Sequence, residues 1–178
     1  YAHIVSCMAE NDRMEPVIGV SFDGTGYGTD HTIWGGELLL ADACDFARAG
    51  HIAPFVQIGG DLSAKEGWRI AVSMLYGRYK NEEKTLAAAT ALGLCAEADA
   101  KVLMRMYDRG MNAVTSTSAG RLFDAVSAVL GICIHSTFEG EASTALQFAA
   151  EAYEKQAPEE KSPLWKKQTN PIVSENSD

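Results

Sequence analysis

Residues 22 to 30 read Phe-Asp-Gly-Thr-Gly-Tyr-Gly-Thr-Asp and follow an apolar run, Pro16 to Phe22, that predicts a buried central strand. The glycines allow backbone N–H groups to approach an anion, the threonines offer hydroxyls, and Asp23 can hold a metal ion or its water. The same residues also suit a tight hairpin turn between two strands. Residues 22 to 30 therefore predict a phosphate-binding turn or a hairpin, and the choice depends on the rest of the chain.

The composition is typical of a globular protein with one core or two small lobes, since 47% of its 178 residues are hydrophobic and 22% are charged. The net charge of -9 and the pI near 4.9 argue against a nucleic-acid partner. No run approaches the about 20 apolar residues that cross a bilayer, so no membrane partner is expected. The widely spaced cysteines predict free thiols in a reducing cytoplasm. A first residue other than methionine, Tyr1, indicates a piece of a larger protein.

The hydrophobic pattern predicts one short helix, followed by strands and then by several further helices. Ala2 to Glu10 is the predicted first helix, with Ile4 and Met8 on one face. Thr32 to Leu40 and Asp45 to Gln57 are predicted as two more strands, which continue an antiparallel meander. Apolar residues then recur with a period of 3.6, which predicts helices at residues 68–79, 97–109 and 120–130. Residues 81–95 are predicted as a helix or helical loop, and the alanine-rich residues 141–156 as a further helix. This order predicts an α+β fold rather than a doubly wound sheet.

Apolar spacing also assigns core faces to two of these helices. The core-facing residues are predicted to be Val102, Leu103, Met106 and Tyr107 in one helix, and Leu122, Phe123, Val126, Val129 and Leu130 in the other. Between them, Thr115 to Ala119 is predicted as a loop of small residues that leads into a helix N-terminus, which is a second natural anion site. Beyond residue 157 the composition turns polar, so we predict a domain at residues 1–157 and a linker, or the start of a following segment, at 158–178.

Five motifs occur in a characteristic order along the chain. They are Ala2-His-Ile-Val-Ser-Cys-Met-Ala-Glu10, the residue 22–30 motif with Trp34-Gly-Gly-Glu37, Gly59-Gly-Asp61 before Trp68-Arg69, Thr117-Ser-Ala-Gly-Arg-Leu-Phe-Asp-Ala-Val126, and Phe138-Glu-Gly-Glu141. Together they resemble the C-terminal, threonylcarbamoyl-transfer-like domain of the HypF carbamoyltransferases, which mature nickel–iron hydrogenases. The resemblance covers the chain up to about residue 150.

The resemblance implies part of an actin/hexokinase/Hsp70-like (ribonuclease H-like) nucleotide-binding domain, with the nucleotide in a cleft between lobes. It implies a cytoplasmic enzyme that uses ATP and carbamoyl phosphate to form carbamoyl adenylate. The carbamoyl group would pass to the C-terminal cysteine thiolate of the partner protein HypE. The adenylate-forming domain would lie elsewhere in the intact protein, so this fragment alone is expected to be inactive.

By the same resemblance, the phosphate would be bound by Asp23, Gly24, Thr25, Gly26 and Gly28. Gly120 and Asp124 resemble the ribose-binding position, and the alternative for Asp124 is a cap or solvated residue on an exposed helical face. No convincing general base is present, so the catalytic residues stay unassigned.

His3 resembles the last histidine of the family's H-x-x-x-H metal motif. The divalent ion of the intact domain would be Mg, Zn or Fe. The other ligands would lie outside these 178 residues, so metal binding by this chain is expected to be weak or absent. The alternative for His3 is an exposed terminal histidine.

Two other functions compete with the carbamoyltransferase hypothesis. One is a non-catalytic lobe that binds a nucleotide or docks a partner. The other is a relative of the tRNA threonylcarbamoyl transferases, which the acidic charge disfavours. In that branch the residue after the ribose aspartate is typically lysine, whereas this chain has Ala125.

Overall fold

The computed structural model describes residues 1–156, and the linker predicted at residues 158–178 lies outside them. The helices are α1 (Ala2–Glu10), α2 (Gly67–Tyr79), α3 (Glu82–Ala91), α4 (Glu97–Asp108), α5 (Ala119–Val129) and α6 (Glu141–Gln156), with a 3₁₀ helix at Gly60–Ala64. The strands are β1 (Val17–Tyr27), β2 (Ile33–Ala41), β3 (Phe46–His51), β4 (Phe55–Ile58) and β5 (Ala113–Ser116). None of these helices has the length and apolarity needed to span a membrane.

The five strands form one mixed sheet. β1 and β3 both pair antiparallel with β2, which confirms the predicted meander. β5 pairs parallel with the start of β2, where Ile33 lies opposite Ser116, and β4 pairs antiparallel with β5. The prediction of a single strand from Asp45 to Gln57 is wrong, because the chain leaves β2 after His51 and resumes as β4 beside β5. Pro54, which has no backbone N–H, lies in this break.

The prediction that β1 is a buried central strand is also wrong. Within the described residues β1 pairs only with β2, so it is an edge strand. Its alternate residues Ile18, Val20 and Phe22 are each more than 60% exposed. The opposite face of β1 contacts α1, where a Cβ at Gly19 would lie 2.3 Å from Ile4 Cδ1. The density of apolar residues therefore correctly predicted a strand. It did not show whether one face or both faces of that strand are buried by the described residues.

Two hydrophobic clusters stabilise the two sides of the molecule. A small cluster joins α1 to the β1–β2–β3 meander through Ile4, Met8, Trp34, Leu39 and Ala41. A larger cluster joins β4 to α2, α3, α4 and α5. Its members include Phe55, Ile58, Trp68, Ile70, Val72, Leu94, Leu103, Ala125 and Ala128. The functional site lies between the clusters, where α5 contacts β1 and β2.

The predicted core faces of α4 and α5 are partly wrong. Val102 is 55% exposed, whereas Leu103 is buried as predicted. In α5 the predicted core residues Phe123, Val126 and Leu130 are each at least 38% exposed. Apart from Arg121 and Asp124, the buried residues of α5 are small, namely Ala119, Ala125, Ser127 and Ala128, and the backbones of α2 and α5 approach closely. The closest approach is at Gly67, where a Cβ would lie 2.5 Å from the Asp124 carbonyl oxygen.

Residues Thr115 to Ala119, predicted as a loop, instead contain the end of β5 and the start of α5. β5 has only four residues, which is too short for its alternation to stand out from the sequence. The strand matters for function because it delivers the chain from the middle of the sheet directly to the N-terminus of α5.

Candidate functional site

The first three residues of the predicted phosphate turn, 23–25, form a bulge in β1. Phe22 pairs with Gly36 and Gly26 pairs with Trp34, so three residues of β1 oppose only one residue of β2. A bulge releases backbone groups from the ladder and turns side chains away from the strand direction. Local sequence thus correctly marked residues 23–25 as irregular, although the strand continues beyond them to Tyr27.

The hairpin that was the alternative interpretation is also present, at the following residues. The Gly28 N–H donates to the Thr32 carbonyl oxygen at 3.0 Å, and His31 adopts a left-handed conformation with φ of 62°. The Asp30 carboxylate accepts hydrogen bonds from the Thr32 hydroxyl, the Thr32 N–H and Trp34 Nε1. The Thr32 hydroxyl is the largest cause that lowers the pKa of Asp30 to about 2. Gly28 therefore belongs to the hairpin rather than to the bulge.

A cavity of about 470 Å³ opens beside the bulge. Asp23, Thr25 and Gly26 line it, together with His3 from α1. Asp23 Oδ1 accepts a hydrogen bond from the Gly24 N–H at 2.6 Å, and its Oδ2 lies 4.0 Å from His3 Nδ1. The volume lies within the range of small-molecule sites, about 300–1,000 Å³. Three of the predicted phosphate-binding residues thus share one open cavity.

The N-terminus of α5 packs against the back of the bulge. The Ser118 hydroxyl lies 2.7 Å from the Gly24 carbonyl oxygen, and Ser118 Oγ accepts a hydrogen bond from the Arg121 N–H at 3.0 Å. A Cβ at Gly120 would lie 3.0 Å from the Gly24 Cα, so a side chain there would press on the bulge. The structure therefore brings the predicted phosphate residues and the predicted ribose residue Gly120 into contact.

The double role of Ser118 gives a testable expectation. Ser118→Ala should lower the free energy of unfolding by about 1–2 kcal/mol, since it removes an N-cap. It should also weaken binding at the bulge, because it removes the link to Gly24. Asn81→Ala is the matched control: Asn81 caps α3 by accepting from the Lys84 N–H at 2.8 Å. Urea unfolding should show similar losses of stability for the two variants. Nucleotide titration should show weaker binding only for Ser118→Ala. Equal losses of binding would contradict a link between Ser118 and the binding site.

Asp124 does not line the cavity beside Asp23. Its side chain is 5% exposed and its Oδ2 lies 2.7 Å from Arg121 Nε, so the alternative of a solvated residue on an exposed helical face is wrong. Burial raises the pKa of Asp124, and the Arg121 charge opposes that effect. Ribose binding by Asp124 stays a prediction.

A buried polar cluster that sequence analysis missed lies beneath the same junction. Glu37, 5% exposed, accepts hydrogen bonds from Arg48 Nε at 2.7 Å, from the Gly35 N–H at 3.1 Å and from the Thr117 hydroxyl. The Arg48 guanidinium also stacks on the Trp34 ring, 4.0 Å from its centroid. Burial raises the pKa of Glu37, but the hydrogen bonds from Arg48 and Thr117 outweigh burial, so the pKa lies below its ordinary value.

The sequence did contain a pattern that could have indicated the burial of Glu37. Alternation along β2 places Glu37 on the same face as Leu39 and Ala41, which are buried. A charged residue on a buried strand face needs a partner of opposite charge. Sequence alone could not show that this partner is Arg48, because the adjacent strand has a register shift between the pairs at Leu38 and Leu39.

Comparison with known proteins adds a decisive observation to this geometry: residues 19–176 match the family model described as "Carbamoyltransferase, Kae1-like Domain, second subdomain". The chain belongs to the HypF carbamoyltransferase family. The residue 22–30 motif and the residues that pack against it, Ser118 and Gly120, all lie within the matched range.

Curated HypF relatives are similar over most of this chain. The carbamoyltransferase HypF homolog of Cupriavidus necator is 39% identical over 153 residues, which cover 86% of this chain and 38% of the relative. The probable carbamoyltransferase HypF of Methanocaldococcus jannaschii is 36% identical over 153 residues, 86% of this chain and 20% of the relative. The chain thus spans between about a fifth and two fifths of these HypF proteins. Their names support a transferase family.

Solved HypF structures confirm the predicted fold class, α+β and ribonuclease H-like. Full-length HypF in a phosphate- and nucleotide-bound form superposes with a TM-score of 0.73 at 35% identity, over 82% of this chain and 19% of that one. HypF of T. kodakarensis superposes with a TM-score of 0.73 at 30% identity, over 83% of this chain and 20% of that one.

Few candidate ligands for the expected metal ion lie together among residues 1–156. The His3 side chain is 70% exposed, and Asp23 is the only acidic side chain with which it forms an ion pair among the described residues. Within residues 1–156 no group of three His, Cys, Asp or Glu side chains gathers to hold an ion. Two side chains are fewer ligands than a stable site uses. His3 as a metal ligand stays a prediction.

Proposed function

We propose that this chain supplies the phosphate-binding part of the nucleotide site in a HypF carbamoyltransferase. The observation that carries the proposal is the bulge at residues 23–25, which lies between an open cavity and the N-terminus of α5. Helix N-termini present backbone N–H groups and positive partial charge to an anion, and a bulge re-aims side chains such as Asp23 and Thr25. The relative solved with phosphate and nucleotide supports a nucleotide as the ligand.

In the intact protein the ligand would be carbamoyl adenylate, made from ATP and carbamoyl phosphate. The thiolate of a C-terminal cysteine on a HypE-type partner attacks the carbamoyl carbon, a C–S bond forms, and the bond from that carbon to the phosphate oxygen breaks. The electron pair leaves on the phosphate of AMP. Positive potential at the N-terminus of α5 stabilises that charge as it develops, which makes AMP a better leaving group.

The predicted site residues at and beside the bulge have distinct tasks in this proposal. Asp23 holds the bulge through its bond to the Gly24 N–H, and Thr25 offers a hydroxyl to the cavity. Gly120 permits the close contact between the bulge and α5, because a Cβ there would lie 3.0 Å from the Gly24 Cα. Gly26, beyond the bulge, permits the close approach of β2, because a Cβ there would lie 2.5 Å from the Trp34 carbonyl oxygen.

Calorimetric titration with ATP and AMP tests the proposal in the 178-residue chain. Asp23→Ala removes the acceptor for the Gly24 N–H and should weaken nucleotide binding about tenfold or more. Asp23→Asn keeps an oxygen acceptor and should bind more tightly than Asp23→Ala. The control is Asp61→Ala, in the exposed part of the 3₁₀ helix, which should bind like the wild type.

The possible outcomes separate this proposal from its alternatives. Equal binding by the wild type and Asp23→Ala would contradict a site at the bulge. Absence of nucleotide binding in the wild type would favour a non-catalytic interaction lobe. The net charge of -9 already disfavours a tRNA acceptor.

A further inference from the structure

Arg121 is a buried cation with unused hydrogen-bond donors. It is 9% exposed and lies in the first turn of α5. Its Nη2 lies 3.8 Å from the position that a Cβ on Gly24 would occupy, so its guanidinium faces the bulge. A guanidinium carries five N–H donors. Within residues 1–156 the side chain makes one ion pair, with Asp124, and donates no hydrogen bond of good geometry.

Arg121 Nε and Asp124 Oδ2 are both buried without a hydrogen bond of good geometry among the described residues, which is costly. Arg69 gives the comparison: it pairs with Glu66 through the same Nε contact at the same spacing of three residues. The side chains of that pair are 19% and 26% exposed, whereas those of Arg121 and Asp124 are 10% and 5% exposed. Water can reach the donors of Arg69 more easily than those of Arg121. A purely structural ion pair therefore explains Arg69 better than it explains Arg121.

The surroundings of Arg121 determine the kind of ligand. Asp124 contacts Nε and so leaves the outer fork of the guanidinium free, the geometry that suits bidentate bonds to a phosphate. The free fork lies beside Gly24 and at the positive end of α5, so positive potential from two sources converges there. A phosphate oxygen fits this environment, and an uncharged sugar hydroxyl would gain less from it.

We infer that Arg121 binds the phosphate of the nucleotide and discriminates phosphorylated from unphosphorylated ligands, with Asp124 as the residue that orients its guanidinium. This inference rests on the proposed nucleotide site and adds a residue that the motif analysis did not assign. It also gives Asp124 a function that does not require direct contact with ribose.

Titrations of AMP, adenosine and inorganic phosphate into wild type, Arg121→Gln, Arg121→Lys and Arg69→Gln test the inference. Arg121→Gln should weaken AMP binding at least about tenfold and leave adenosine binding within about twofold. Arg121→Lys, which keeps the charge but loses the planar fork, should fall between the wild type and Arg121→Gln. Arg69→Gln should bind all three ligands like the wild type. Far-UV circular dichroism checks folding, and Arg121→Lys serves as the test if Arg121→Gln does not fold.

The pattern of losses distinguishes this inference from the proposed nucleotide site. If the Arg121 variants bind AMP as tightly as the wild type, or lose AMP and adenosine equally, Arg121 is structural and the inference is overturned while the nucleotide site survives. If the wild type fails to bind AMP yet binds phosphate in an Arg121-dependent way, the nucleotide proposal fails and the anion site stands. Binding of neither AMP nor phosphate by the wild type overturns both.

Discussion

Replacing Glu37 with alanine should lower the free energy of unfolding by about 3 kcal/mol, because it breaks a buried charge pair and leaves its partners unsatisfied. The Arg48 side chain is only 20% exposed and would lose its closest carboxylate. The Thr117 hydroxyl and the Gly35 N–H would lose their shared acceptor. Urea unfolding, followed by tryptophan fluorescence, measures the loss as a shift in midpoint at constant slope.

Two control variants separate charge loss from side-chain loss. Glu37→Gln keeps an oxygen acceptor in the same place but removes the charge, so its loss should be smaller than that of Glu37→Ala. Glu139→Ala removes an exposed glutamate and should change stability by less than about 0.5 kcal/mol. If Glu37→Ala cost no more than Glu139→Ala, the buried cluster would not stabilise the fold.

Elements with strong local signals could be predicted from the sequence. α6 begins at Glu141 as predicted and is helical up to the last described residue, Gln156, and α1 spans the predicted Ala2–Glu10 with Ile4 and Met8 buried. Helices of this length show their period over several turns. β5 was missed because four residues show almost no period, and its pairing partners lie far away in the sequence.

In the candidate site, too, local features could be predicted from the sequence, whereas contacts between residues far apart in the chain could not. Glycine content marked the bulge at residues 23–25 because irregular backbone is a local property. The contact of Ser118 with Gly24 spans 94 positions, and that of Thr117 with Glu37 spans 80. Hydrophobic patterns identify which face of an element is buried, but not which residue from another element covers it. Sequence therefore predicted both halves of the site, and only the structure joined them.

Gly35 is where the two halves meet, and Gly35→Ala should disrupt both. The new Cβ would lie 2.4 Å from the Asp23 carbonyl oxygen and 2.9 Å from the Ser118 Cα. Both neighbours are backbone atoms, so neither can rotate away as a side chain would. We expect the free energy of unfolding to fall by about 2–3 kcal/mol. Nucleotide binding, measured by titration, should fall more than tenfold because the bulge and α5 are forced apart.

Gly50→Ala is the matched control, since Gly50 lies in β3 of the same sheet. A Cβ there would lie 3.8 Å from the Leu38 side chain, an ordinary contact. Loss of glycine freedom in the unfolded chain should make Gly50→Ala neutral or stabilising by up to about 1 kcal/mol. Equal effects of the two substitutions on unfolding would mean that the bulge and α5 are not in contact at Gly35. Loss of binding in Gly35→Ala at unchanged stability would instead show that the bulge moves without breaking the fold, so the spacing to α5 would matter for the ligand alone.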